Sequence, residues 1–151
     1  MTEQKQEDQQ AGLGVQKIYL KDCSFEAPNT PMVFTQQIET RFHIDIDIAH
    51  SELDKKEGIH EVVVQITVKA ENENGAVFLI EVHQGGVFQI TGVDDATLQQ
   101  ALEINCADIL LPYARQAISS LVTNGGFPQL LINPVNFEQL YEQRHGSAQP
   151  E

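Results

Sequence analysis

His43, Asp45 and Asp47 fall on one side of a strand pattern, alternating with Phe42, Ile44, Ile46 and Ile48. Imidazole and carboxylate at that spacing are the side chains a divalent metal uses. No second ligand cluster supports them, so the triplet reads as the charged solvent face of a half-buried strand. Cys23 and Cys106, the two cysteines, lack metal-ligand spacing. They read as free thiols, although sequence leaves their pairing open. His83 has no nucleophile patterned beside it and reads as an ordinary strand residue rather than a general base. Gly85-Gly86 alone is too little for a phosphate loop. A nucleotide loop, a GxSxG elbow, HExxH and CxxC are all missing from the sequence. The carboxylates sit on expected solvent faces, where nothing raises their pKa for acid–base work. No catalytic residue, metal or cofactor is expected. The alternative is an enzyme or small-ligand-binding oligomeric α+β domain with its pocket between sheet and helices; saturable turnover or binding of a defined metabolite would favour it.

Charge narrows the partners. Twenty-two acidic against nine basic residues give a formal net charge of −13. Phosphate binding needs Lys and Arg to displace counterions, so nucleic acid is not expected as a partner, and anionic lipid is disfavoured likewise. Acidity fits a basic protein partner or, equally, solubility. The start MTEQKQEDQQAG is polar and lacks the apolar core of a signal peptide. Residues 116–137 are uncharged but broken by Asn, Gly and Pro, so no membrane insertion is expected. The expected location is cytoplasmic.

The elements that must position these residues read as strands first and helices last. That order predicts an α+β fold. Residues 1–14 read as a disordered tail, 15–143 as a single domain and 144–151 as a flexible C-terminal tail. A strand is predicted over Val15–Phe25. Strict alternation would put Ile18, Leu20, Asp22, Ser24 and Glu26 on one side of it, with Tyr19, Lys21, Cys23 and Phe25 on the other. Two prolines, Pro28 and Pro31, break it, and Met32, Val33, Phe34 and Ile38 follow in an apolar loop. Arg41–Ala49 is the cleanest strand, and Ser51–Gly58 reads as a charged loop. Glu61–Ala70 and Ala76–Ile90 predict a hairpin closed by Asn74-Gly75. Val62, Val64, Ile66 and Val68 face one way with Phe78, Ile80 and Val82. Val63, Gln65, Thr67 and Lys69 face the other, with Val77, Leu79, Glu81 and His83. Gly85-Gly86 suggests a bulge or bend.

Asp94 or Asp95 caps a helix starting near Ala96, with Leu98, Ala101, Leu102 and Asn105 on one face. Pro112 lies in the first turn of a second helix or kinks it, and Asn124-Gly125-Gly126 stops it. A short last helix carries Phe137, Leu140 and Tyr141 and frays from Arg144. Between Ala107 and Asn136 only Asp108 and Arg115 are charged. Leu110, Tyr113, Ala114, Ala117, Ile118, Leu121 and Val122 make an apolar stripe at helical spacing, and the remaining face is only mildly polar. Such a helix meets protein on its outer face as well, or is enclosed by its own domain.

Several stretches together resemble the SecB family of protein-export chaperones over nearly the whole chain. They are Ile18-Tyr19, Lys21-Asp22, Ser24-Phe25-Glu26-Ala27-Pro28-Asn29, Phe78-Leu79, Glu81-Val82 and Gln84-Gly85-Gly86, followed by Leu111-Pro112-Tyr113-Ala114-Arg115, Phe127-Pro128-Gln129-Leu130 and Pro134-Val135-Asn136-Phe137. The resemblance implies a four-stranded antiparallel sheet with helices packed on one face, in a homotetramer built as a dimer of dimers. It implies a non-enzyme that holds unfolded precursor proteins without ATP and delivers them to the SecA motor. SecA contacts map onto Asp22, Glu26, Leu79 and Glu81, a patch suited to SecA's basic, zinc-containing tail, with the metal belonging to that partner. The client groove is expected at Phe34, Ile38, Phe127, Leu130, Leu131, Phe137, Leu140 and Tyr141. Ile38 stands where some relatives carry Trp, and the last helix turns polar at Glu142. Ile80, Val82 and Gln84 match positions associated with tetramer assembly, and Tyr113, Ala117 and Leu121 on the long helix are added to that interface.

Overall fold

Val and Ile at alternate positions of residues 62–68 suit a pleated, buried strand, because β-branched side chains pack well on a sheet. In the computed structural model, which describes residues 11–37 and 39–146, they lie in β3 (Ile59–Asn72). A tight turn leads into β4 (Gly75–Thr91), with Gly75 at φ 121°. β1 (Gly12–Glu26) pairs with β4 and β2 (Arg41–Asp54) with β3, all antiparallel, giving the order β1-β4-β3-β2. This is the expected α+β architecture.

Val62, Val64, Ile66, Val68, Ile80 and Val82 are fully buried. They meet Leu110, Ala114, Ile118 and Val122 of α2 (Cys106–Asn124), which lies across β3 and β4. Each such aliphatic is worth about 1.5–3 kcal/mol. α1 (Asp95–Gln100) is capped by Asp94, whose carboxylate accepts from the Thr97 N–H at 2.8 Å. A π turn over Ala101–Asn105 joins it to α2 without a break. α3 (Phe137–His145) begins at Asn136, whose side chain accepts from the Gln139 N–H at 2.9 Å. No described helix is long and apolar enough to cross a membrane.

Several expectations are corrected. β1 starts at Gly12, and residues 12–14, expected in the tail, pair with Thr91, Ile90 and Gln89. Residues 1–10 and 147–151, the rest of the expected tails, lie outside the described residues, as does Ile38. β2 runs on to Asp54, through the first half of the expected loop, because Ser51 and Glu52 find partners in Glu61 and His60. Asn105 is exposed and Cys106 buried, since the π turn adds a residue per turn and rotates the apolar face by one position. Pro112 lies inside α2, beyond its first turn. α3 includes Arg144 and His145 as ordered helix.

Two differences concern bulges. Gly85 and Gly86 are regular strand; the register shifts instead fall on β1, at Gln16 and Lys21. A further shift where Ala70 pairs Phe78 and Glu71 pairs Ala76 leaves Val77 unpaired, and it is buried with the core instead of facing outward. Glycine is required at 85 for space: the Tyr19 ring lies against it, and a Cβ there would stand 2.5 Å from Tyr19 Cε2.

Gly85→Ala is expected to destabilise the fold by about 1–3 kcal/mol through overpacking. In a chain already carrying Tyr19→Ala the same change should cost almost nothing further. Urea unfolding of the double-mutant cycle measures the coupling.

Candidate functional site

The bulge at Lys21 decides what the outer face of the sheet presents. Before it, Leu13, Val15, Ile18 and Leu20 pair with Ile90, Phe88, Gly86 and Gln84, on the helix side. After it, Asp22, Ser24 and Glu26 pair with His83, Glu81 and Leu79, on the opposite side. An extra residue in one strand reverses its side-chain parity. Ile18 and Leu20 accordingly do not share a face with Asp22 and Glu26, contrary to unbroken alternation. The bulged stretch is pinned: Gln84, buried, donates from Nε2 to the Tyr19 carbonyl at 2.9 Å.

Asp22, Glu26, Leu79 and Glu81 therefore share one outward face, with carboxylates on the β1 side of Leu79 and along β4, and Lys69 as the partner of Leu79 on β3. Leu79 is exposed, Glu26 is its cross-strand partner, and Glu81 follows on the same face. His83 Nε2 lies 2.8 Å from Glu81 Oε2. Beside the patch, Lys21 Nζ reaches Glu61 at 2.8 Å and the Tyr19 hydroxyl donates to the same carboxylate. Lys21 first, then Tyr19, hold the Glu61 carboxyl below its usual range. Burial, reinforced by the bond to Glu61 and its charge, pushes the Tyr19 phenol up to about 12. Among the described residues no group of His, Cys, Asp or Glu is arranged to hold a metal ion; His43, Asp45 and Asp47 lie along the exposed side of edge strand β2.

On the helix side, one end of the sheet carries an aromatic cluster. Phe127 stands 5.1 Å from Phe78, 5.2 Å from Phe34 and 6.3 Å from Phe25, and Phe42 lies 6.2 Å from Phe78. Gly125 makes this possible, because any side chain there would overlap the Phe25 ring. Phe34 keeps 51% of its surface in solvent. The cluster rests on the crossover from β1 to β2, which Asn29 ties to the β3–β4 hairpin through the Ala76 carbonyl at 2.8 Å. Phe34 and Phe127 are among the expected groove residues, and Phe25, Phe42 and Phe78 are not. The inward alternation of Phe42 and Phe78 was signal enough to include them; Phe25 was hidden by the bulge.

The other expected groove residues are not all brought together. Leu130 and Leu131 belong to the irregular segment between α2 and α3, where Leu131 is 77% exposed. Leu140 lines a cleft of ≈ 560 Å³ between β2 and α3. The Tyr141 ring packs tilted against His145, centroids 4.4 Å apart. Phe137 is a core residue, 1% exposed, and no client could touch it. Of the expected assembly residues, Tyr113 is half exposed, and Ala117 and Leu121 are partly covered. Ile80, Val82 and Gln84 are buried in this chain's own core. They offer no side-chain surface to another subunit.

The geometry has counterparts in known proteins. A family model described as preprotein translocase subunit SecB matches residues 6–148. A protein-export protein SecB of Nitrosococcus oceani is 42% identical over 144 residues, covering 95% of this chain and 88% of that protein. Those of Methylobacillus flagellatus and Legionella pneumophila are each 44% identical, over 91% and 95% of this chain and 87% and 90% of theirs. A SecB-like chaperone of Mycobacterium tuberculosis, solved in complex with an antitoxin's ChAD peptide, shares the fold. Its TM-score is 0.68 at 13% identity, covering 82% of this chain and 91% of that one.

The raised phenol gives a pH signature. Tyr19's contribution to stability is complete below pH 10, its unfolded value, and is lost as pH rises through about 12. Wild type should therefore exceed Tyr19→Phe in urea midpoint at neutral pH, with the difference closing across that alkaline range.

Proposed function

The chain belongs to the SecB family of preprotein translocase subunits, and on that premise we propose that it holds unfolded precursor proteins without ATP and passes them to SecA. The observation that carries client holding is aromatic surface left in solvent: Phe34 and Phe42 are large exposed hydrophobics at the rim of a five-ring cluster. A folded monomer gains nothing by exposing such rings. Unfolded chains supply apolar side chains at many points, and several modest sites on one assembly bind them by avidity. Binding the unfolded state opposes folding through mass action, with no nucleotide needed. On this reading Phe34, Phe127, Leu130, Leu131, Leu140 and Tyr141 remain client contacts, with Phe42 added and Phe137 withdrawn. The chain is not an enzyme, and it works in the cytoplasm, where precursors wait before translocation.

Handover uses the opposite side of the sheet. Asp22, Glu26 and Glu81 around Leu79 suit a basic tail with an apolar residue at its centre. SecA's tail is the proposed occupant, carrying its own zinc.

The proposed assembly is a homotetramer. Its support is apolar surface that the subunit's own helix leaves bare: Leu20, 48% exposed, with Leu13 and Val15 on the helix side of free edge strand β1. The exposed side of α2, around Tyr113 and Gln116, carries little charge to oppose a second helix, only Asp108 in the first turn and half-buried Arg115 at its flank. An exposed apolar edge strand is a ready site for pairing with another chain.

Glu81→Lys is expected to weaken binding of the isolated SecA tail at least about tenfold, by reversing a contact charge, while binding of a reduced, carboxymethylated polypeptide is unchanged. Phe34→Ala paired with Phe42→Ala should do the reverse. If titration calorimetry finds both affinities falling together in either variant, the two surfaces are not separate. Leu20→Lys should lower the native mass measured by light scattering, and a wild-type monomer would overturn the assembly.

A further inference from the structure

Glu103 is the one acidic residue buried among the described residues, 3% exposed, and its burial serves neither surface above. It sits in the π turn between α1 and α2. Its Oε2 accepts from Gln99 Nε2 at 2.5 Å and lies 3.2 Å from His50 Nε2 of β2. Its Oε1 lies 3.0 Å from His145 Nε2 and 3.7 Å from Arg144 Nη1, both on the last turn of α3. Arg144 also reaches Asp47 Oδ1 of β2 at 3.6 Å. Burial alone would raise this carboxyl's pKa, but His145, His50 and Gln99 together outweigh it and hold it below the ordinary range. A buried carboxylate in a low-dielectric site binds such donors more strongly than a solvated one does.

α3 has little else to hold it. Phe137 at its first position is buried, while Glu138, Gln139, Glu142 and Gln143 face solvent. Its chief neighbour is the π turn itself. The helix is thus held at its start by Phe137, along its length by partly buried Leu140, and at its end chiefly by Glu103, with exposed Asp47 a second partner of Arg144. Between those points it forms a wall of the ≈ 560 Å³ cleft, where Leu140 faces Ile44 and Ile46 of β2, with Ile132 and Val135 alongside.

We propose that Glu103 is a positioning residue that fixes the C-terminal end of α3 and so sets the width of the cleft along β2. This rests on the client-holding reading for its purpose, but not for its geometry. With Glu103 in place the cleft keeps the shape seen here; with its charge removed, α3 pivots about Phe137 and the β2 wall of the cleft opens. The carboxylate touches no client and acts only through the helix.

Hydrogen exchange of the full chain at neutral pH tests the anchor without any client. In Glu103→Gln, amides of residues 137–145 should exchange about tenfold faster, as expected for losing a charge-assisted anchor, while those of β3, β4 and α2 stay unchanged. Paired Arg144→Ala and His145→Ala changes, on exposed residues that leave the core intact, should give the same local effect. Unchanged exchange at 137–145 in the paired variant would overturn the anchor. Affinity for a reduced, carboxymethylated polypeptide then tests the wall. A severalfold change in both variants supports it, and faster exchange with unaltered affinity overturns it. Failure of the wild type to bind that polypeptide would sink the client-holding reading while leaving the exchange result standing.

Discussion

One helix cannot cover a four-stranded sheet. An α-helix with its side chains is about 10 Å across, and four strands at roughly 4.8 Å spacing are wider than that. α2 lies on β3 and β4, where Val62, Val64, Ile66, Val68, Ile80 and Val82 face inward, and these contacts hold the subunit together. The inward faces of both edge strands are left over. On β1 the remainder is Leu13, Val15 and Leu20; on β2 it is Phe42 and Ile44. Each margin must be covered by something else or stay apolar in water. The two answers differ: β1 suits another copy of the chain, while β2 is flanked by a short, weakly held helix and an aromatic cluster.

The same sheet serves a second purpose on its other side because of one added residue. Without the bulge at Lys21, Asp22 and Glu26 would point toward the helix side, burying carboxylates against Val82 and Phe78. With it, they stand beside Leu79 and Glu81 in solvent. The local loss of ladder bonding is compensated by Gln84, which reaches the Tyr19 carbonyl, and by Tyr19 and Lys21, which both bind Glu61. A surface for grease and a surface for charge thus sit back to back, separated by the thickness of one sheet.

The π turn is the corresponding irregularity in the helical layer. It rotates the apolar face so that Cys106, not Asn105, enters the core, and it lies where Glu103 can gather side chains from α1, β2 and α3. A helix as polar as α3 would otherwise dock weakly. Burying a charge is costly unless it is fully partnered, which makes Glu103 an anchor while its partners stay and a liability if they leave.

Much was legible from residue order alone. Alternating Val and Ile in 62–68 and 78–82 can only be buried on one side, so the hairpin and its inner face followed from a period of two. Asp94 or Asp95 announced a helix start through capping chemistry, and the uncharged run around Ile118 announced a helix that water does not surround. Family-specific stretches pointed to the same sheet, and the comparisons bear that out. What sequence could not decide were the places where a count of one residue matters: the bulges at Gln16, Lys21 and Val77 and the π turn at Ala101–Asn105. Periodicity is a local rule, and whether a chain keeps or breaks it depends on what the neighbouring strand or sheet can pair with. Only the folded structure therefore placed Phe25 in the aromatic cluster, Phe137 in the core, and Glu103 beneath the last helix, because burial and pairing are properties of the whole assembly of elements rather than of any one stretch.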